Sequence, residues 1–218
     1  MRRQALVALA LAAALWPALV AHAQRPLTHE QALEALKKPD DIESRRLGGA
    51  WLGETGLMAD VQPLIEALKD PDYGVRVLAE RSLWQVWSRS GDLEVDHLFQ
   101  IGLERMREPA PQAAIRTFSE VIQKKPEFAE GWNKRATVYY LIGEYDKSLA
   151  DCEEVIKRNP LHFGALSGFG MNYIQLRQLE NALEYFQRAL RVNPNLEQVE
   201  ATVAALKELL LQQKLDSI

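Results

Sequence analysis

The sequence predicts an all-α protein, an α-solenoid of stacked antiparallel helix pairs, and three observations carry that prediction. Pro126, Pro160 and Pro194 recur at intervals of 34 residues, a period that marks repeated supersecondary units. Four further columns keep the same phase: Gly102, Ala136 and Gly170; Ala114, Ser148 and Ala182; Phe118, Cys152 and Phe186; Leu98, Trp132 and Leu166. After Pro194, Val199, Val203, Leu206 and Leu210 follow helical spacing without a further repeat, as expected of a helix that covers the open end of a stack. Each column has a physical task. The two small-residue columns lie one on each helix of a pair and let the backbones approach, while the Phe/Cys column fills the space between pairs. Each proline lacks an N–H and drives the residue before it (Lys125, Asn159 or Asn193) out of helical geometry, so it closes its unit.

The N-terminus reads differently. Met1-Arg2-Arg3, an apolar run from Ala5 to Ala21 and the small-x-small triplet Ala21-His22-Ala23 form the three regions of a secretory signal peptide over residues 1–23. Pro17 interrupts the run, which falls short of the roughly 20 residues that cross a bilayer. We therefore expect export to the periplasm, cleavage after Ala23 and no membrane insertion of the mature chain. In residues 24–41, Thr28 is placed to cap a short helix holding Ala32, Leu33 and Leu36, stopped by Pro39. Residues 42–90 read as three helices. The first ends near Gly53, the second carries Val61, Leu64, Ile65 and Leu68, and the third carries Val75, Val77, Leu78, Leu83, Trp84 and Trp87. Lys69-Asp70-Pro71-Asp72 makes the turn between the last two, and Ser90-Gly91-Asp92 is the joint to the repeats at 93–194.

The repeated stretch resembles the tetratricopeptide repeat (TPR), whose pattern the middle copy follows through Trp132, Tyr139 and Pro160. The resemblance covers about residues 95–194 as copies near 95–128, 129–162 and 163–196, with residues 195–218 as a capping helix. This chain departs from the family at Arg135 (usually leucine), Ser148 (alanine), Cys152 (aromatic) and, in the first copy, Arg105 (aromatic). A second resemblance lies upstream. Leu52-Gly53-Glu54-Thr55-Gly56, Pro63 to Leu68, Asp70-Pro71 and Val75-Arg76 to Ala79 resemble a bacterial HEAT repeat of the kind also seen in phycobilin lyases. It implies that Asp70 and Arg76 tie neighbouring turns together; it carries no lyase activity with it, because fold does not fix function.

Composition narrows the partners. The formal net charge is −4, and loss of Arg2 and Arg3 with the signal peptide makes it more negative, with acids and bases interspersed. Nucleic acid and anionic membranes both need a basic face, so a protein or peptide partner is expected and no nucleic acid. With Cys152 alone, no internal disulfide is possible, and its column places it on a buried helix face.

Catalytic motifs are missing: His29, His97 and His162 stand far apart in sequence, and there is no phosphate loop, nucleophile elbow or CxxC. No catalytic residue, metal site or cofactor is therefore assigned. In the Asp96-His97 pair the adjacent side chains point in different directions, so His97 is read as a satisfied or solvent-facing histidine, and His162, just after Pro160, is expected at the surface. Gly48-Gly49 and Gly164, Gly168 and Gly170 are assigned to close helix packing. An enzyme or enzyme subunit with a site near Glu54, Asp96 and His97 is one alternative reading; a chaperone for exported chains is another.

The expected function is that of an interaction module. Stacked pairs expose the inner faces of their first helices, and the columns place Phe99, Leu103 and Met106 there from the first copy. Asn133, Thr137 and Tyr140 come from the second, and Ser167, Met171 and Ile174 from the third. Asn133 is expected to reach a peptide backbone. Some TPR domains grip a terminal carboxylate with Lys, Asn and Arg on this face. Here Phe99, Leu103, Gly164 and Gly168 hold the corresponding positions, so the expected occupant is an extended or helical apolar segment. The competing possibility is that the protein's own N-terminal segment or C-terminal helix fills the groove. The sequence leaves the oligomeric state open.

Overall fold

The computed structural model describes residues 26–217; the signal peptide expected at 1–23 lies outside them. Eleven α-helices account for the described fold, with no strand among them: α1 (His29–Leu36), α2 (Ile42–Thr55), α3 (Val61–Ala67), α4 (Tyr73–Trp87), α5 (Leu93–Arg105), α6 (Pro111–Lys124), α7 (Ala129–Leu141), α8 (Tyr145–Arg158), α9 (Phe163–Gln175), α10 (Leu179–Val192) and α11 (Glu197–Asp216). A short 3₁₀ turn, Met58–Asp60, precedes α3.

Helices α1 to α4 form one unit, α1 and α4 packing on α2 and α3 packing on α4. Their starts are written in the sequence. Thr28 accepts from Gln31 N while the Gln31 side chain returns to Thr28 N, a reciprocal cap for α1. Asp41 caps α2 through Ser44 N, and Asp72 caps α4 through Val75 N. The turn before α4 is bound into the unit by two arginines of α2. Arg45, almost fully buried, holds the Asp70 carboxylate bidentately (2.8 and 3.2 Å) and donates to Lys38 O and Pro39 O; Arg46 holds Asp72 in the same way (2.9 and 2.8 Å). Arg76 Nη1 donates to the carbonyls of Asp70 and Pro71.

From α5 onward the helices pair antiparallel: α5 with α6, α7 with α8, α9 with α10, and α11 closing on α10. The in-phase columns meet inside each pair. A Cβ on Gly102 would lie 2.5 Å from the Phe118 ring, and one on Gly170 2.7 Å from the Phe186 ring. The first and third pairs thus use glycine against phenylalanine. The middle pair uses Ala136 with Cys152, both buried in one cluster with Phe169, and the smaller sulfur side chain leaves room for the extra methyl. Arg135 does not disturb the stack: mostly covered, it binds Asp151 with two 2.8 Å contacts, reaches Ser119 Oγ and lies 5.1 Å from the Trp132 ring centre. Val203 and Leu206 of α11 are buried against Ala182 and Phe186, so this helix covers the last pair.

The two parts share one core. Phe163, at the start of α9, is buried among Leu83, Val86 and Trp87 of α4, with Leu161, Val192 and Leu196 packed alongside. Asn193 Nδ2 donates to Glu80 Oε2 (3.1 Å), and Asn195 Nδ2 to Leu68 O (2.8 Å). Helix α4 therefore lies across the loops that enter α9 and α11.

Candidate functional site

The faces of α7 and α9 meet in a cleft of about 250 Å³, and a second of about 300 Å³ follows between α9 and α11. Glycine and small residues make the first cleft possible. Gly164 and Gly168 leave its floor low, and Ala136, Ser148 and Cys152 beneath them are short. Its rim is formed by Thr137, Tyr140, Leu141 and Met171, with Met171 42% and Leu141 67% exposed. The Tyr140 hydroxyl accepts from Gln175 Nε2 at 3.4 Å, linking the two helices above the cleft. No side chain lining either cleft is ionisable at neutral pH: the second adds Ile174, Gln175, Phe186, Gln198, Val199 and Thr202, again without a formal charge. In a chain with 26% charged residues, the lack of charge sets these clefts apart from the rest of the surface.

The nine residues expected to line a groove separate into two groups. Thr137, Tyr140, Ser167, Met171 and Ile174 line the clefts, and Asn133 borders the first. The contribution of the first copy is corrected. Phe99 is 0% exposed, its ring packed at 5.8 Å on Phe118 and 5.2 Å on Phe128; Leu103 and Met106 are half-buried against the same cluster. The Phe99 ring is drawn into the adjacent core, where the matching position on α9 is the small Ser167. Asn133 lines the first cleft, although it is largely buried and its Nδ2 donates to Glu130 Oε2 at 3.0 Å.

His162 departs most from the sequence reading: it is 0% exposed. Its Nδ1 accepts from Ala165 N (3.1 Å) and caps α9, which places the ring proton on Nε2, and Nε2 donates to Glu130 Oε2 at 2.8 Å. Trp87 stacks on the imidazole at 4.4 Å. Lys134 Nζ stands 2.9 Å from Glu130 Oε1. Burial alone would raise the Glu130 pKa, but the His162 hydrogen bond and the Lys134 charge outweigh it, and the carboxyl is held below its ordinary value of 4.5. No sequence spacing links residues 130, 162 and 87; the only available signal was that the tryptophans of α4 needed a partner.

The alternative site at the joint does not assemble as a cluster. Asp96 Oδ1 accepts from Ser90 N and fixes the turn before α5, while Glu54 and His97 are exposed. Among the described residues no three His, Cys, Asp or Glu side chains gather as a metal site. Burial pushes the Cys152 thiol up to about 12, so it stays protonated.

Comparison with known proteins agrees with the helix pairs. The tetratricopeptide repeat family model matches residues 129–161 and again 164–196. A TPR repeat-containing protein of Rhizobium etli is 34% identical over 126 residues, covering 58% of this chain and 61% of that protein. Hsp70-Hsp90 organizing protein 2 of Arabidopsis thaliana is 28% identical over 82 residues, 38% of this chain and 14% of that protein. The chain thus spans less than two thirds of either relative. Among solved structures, the first TPR of Spaghetti bound to the HSP90 peptide SRMEEVD superposes with a TM-score of 0.52 at 20% identity, over 54% of this chain and 93% of that one. The Sgt2 TPR domain of Aspergillus fumigatus gives 0.53 at 18% identity, over 56% and 83%. With two matched repeats, a preceding pair in the same phase and the stacked helix pairs of the fold, the chain carries tetratricopeptide repeats.

Proposed function

We propose that this protein is an exported, periplasmic interaction module that holds an uncharged, apolar segment of a partner protein on the face formed by α7, α9 and α11. The observation that carries this reading is the pair of charge-free clefts sharing Tyr140, Ser167 and Met171. An exposed methionine on a low, glycine-cut floor offers an adaptable apolar contact, and a charge brought into these clefts would be desolvated without a counter-ion. The similar Spaghetti domain holds an HSP90 peptide ending in Glu-Glu-Val-Asp, and this supports a peptide-sized occupant here. The lining supports a neutral one, because it offers no lysine or arginine to meet such an end. The basic N-region, apolar run and small-x-small triplet at residues 1–23 support export. The sequence pattern at 52–79, with Asp70 and Arg76 binding the turn before α4, supports a HEAT-like origin for α2 to α4.

The test is capture of envelope proteins by the mature chain after crosslinking, compared with Tyr140→Glu and Met171→Glu. A loss of at least tenfold for both charged variants, with unchanged helical melting, is the expected result. Equal capture by all three proteins removes the face from the function.

A further inference from the structure

The first cleft does not end on the repeats. Gly164, on its lining, lies against α4: a Cβ there would stand 2.5 Å from Trp84 Cη2. One edge of the Trp84 ring is fixed by T-shaped contacts at 5.3 Å with Trp87 and with Phe163. The ring is nonetheless only half-buried, and on its outer side it borders a shallow hollow of about 660 Å³ along α4 with Val77, Arg81, Gln85 and Ser88. Val77 and Arg81 precede Trp84 by seven and three residues, so all three share one helix face. Val77 is 46% exposed.

Charge is distributed unevenly around this hollow. Glu80 is engaged by Asn193, and Lys134 by the buried Glu130. Arg81 is exposed and has no acidic side chain within ion-pair distance among the described residues. The surface therefore runs from a neutral cleft, over an indole with the Lys134 ammonium 5.5 Å from its ring centre, to an unpaired guanidinium suited to a carboxylate.

We propose that the partner-binding surface continues from the α7/α9 cleft across Trp84 onto α4, and that the bound segment is an uncharged apolar run flanked by an acidic residue, which Arg81 meets. The proposal rests on the groove reading above and deepens it: the N-terminal unit is part of the site as well as its support.

Random 12-residue peptides displayed on phage, selected separately on the mature protein, on Arg81→Glu and on Met171→Glu, test it. The mature protein should enrich neutral apolar runs with Asp or Glu at one end. Arg81→Glu should keep the run and change that end to Lys or Arg, and Met171→Glu should abolish enrichment. For one selected peptide made synthetically, acid-to-amide replacement should weaken binding about threefold on the mature protein, in line with a surface ion pair, and strengthen it on Arg81→Glu, where the acid meets a like charge. Neutral runs without a preferred acidic end, or an end unchanged by Arg81→Glu, would remove α4 from the site while leaving the groove reading in place. Enrichment that survives Met171→Glu, or none on any of the three proteins, would overturn both.

Discussion

The two ends of α7 and α9 are made from the same pair of helices and treat charge in opposite ways. At their N-terminal ends, Glu130 and His162 are buried and bonded to each other, the partly exposed Lys134 pairs with Glu130, and Trp84 and Trp87 pack on the imidazole. Two to three turns later the facing residues are Thr137, Tyr140 and Met171, neutral and at least partly open. The first end is filled by the protein's own α4, whose Trp84 and Trp87 rings pack on His162. The second faces an occupant not built into the chain, where an ionised group would lack a fixed partner. A charge is kept where its counterpart is covalently guaranteed and avoided where it is not.

The largest effect should come from breaking the filled end. His162→Ala removes the cap of α9 and the stacking partner of Trp87, and it takes away the Nε2 donor to Glu130, leaving a buried carboxylate under-bonded. Loss of a buried pair member costs about 3–5 kcal/mol, and we expect a decrease of that order in urea unfolding, with a loss of the separate Trp fluorescence of α4. A change below about 1 kcal/mol would show that the joint does not depend on this ring.

Next in size is the glycine column. Gly102→Ala places a methyl 2.5 Å from the Phe118 ring, and overpacking of this kind costs about 1–3 kcal/mol. The same variant combined with Phe118→Leu should recover much of the loss, since the two positions share one volume. Additive losses in the double variant would refute that pairing.

The columns show how much of the fold was legible. Prolines, small residues and caps are local signals, and they located the helices because each acts within a turn or across one hairpin. Side-chain direction in the clefts was legible for α7 and α9, where period and phase place Thr137 and Met171 outward. It was misjudged for Phe99, because register says which way a residue points and not whether a neighbouring core has room to draw it in. His162 and Trp84 were illegible for a different reason. Their meeting depends on how α4 folds back over the repeats, a contact between residues 78 positions apart that no periodicity encodes.

A smaller effect follows from pH. Because the folded state holds Glu130 below its ordinary pKa of 4.5, this carboxylate adds stability that is fully present above that value and is lost as pH falls through the lower folded value. Urea melts of the parent protein and Glu130→Gln should therefore differ most near pH 7 and draw together as the pH is lowered below 4.5. A gap that stays constant over that range would mean that the charge of Glu130 is not what the pair contributes.

The smallest expected effect contrasts Cys152 with the open cleft above it. The thiol lies on the cleft floor, yet it is 2% exposed and its pKa is pushed up to about 12 by burial, so a thiolate forms only when the packing opens. Ellman's reagent at pH 8 should label the native protein no faster than it unfolds and label the urea-unfolded chain at once. Rapid labelling of the native protein would mean that α7 and α9 separate at this point, and that the floor of the cleft is deeper than the 250 Å³ seen here.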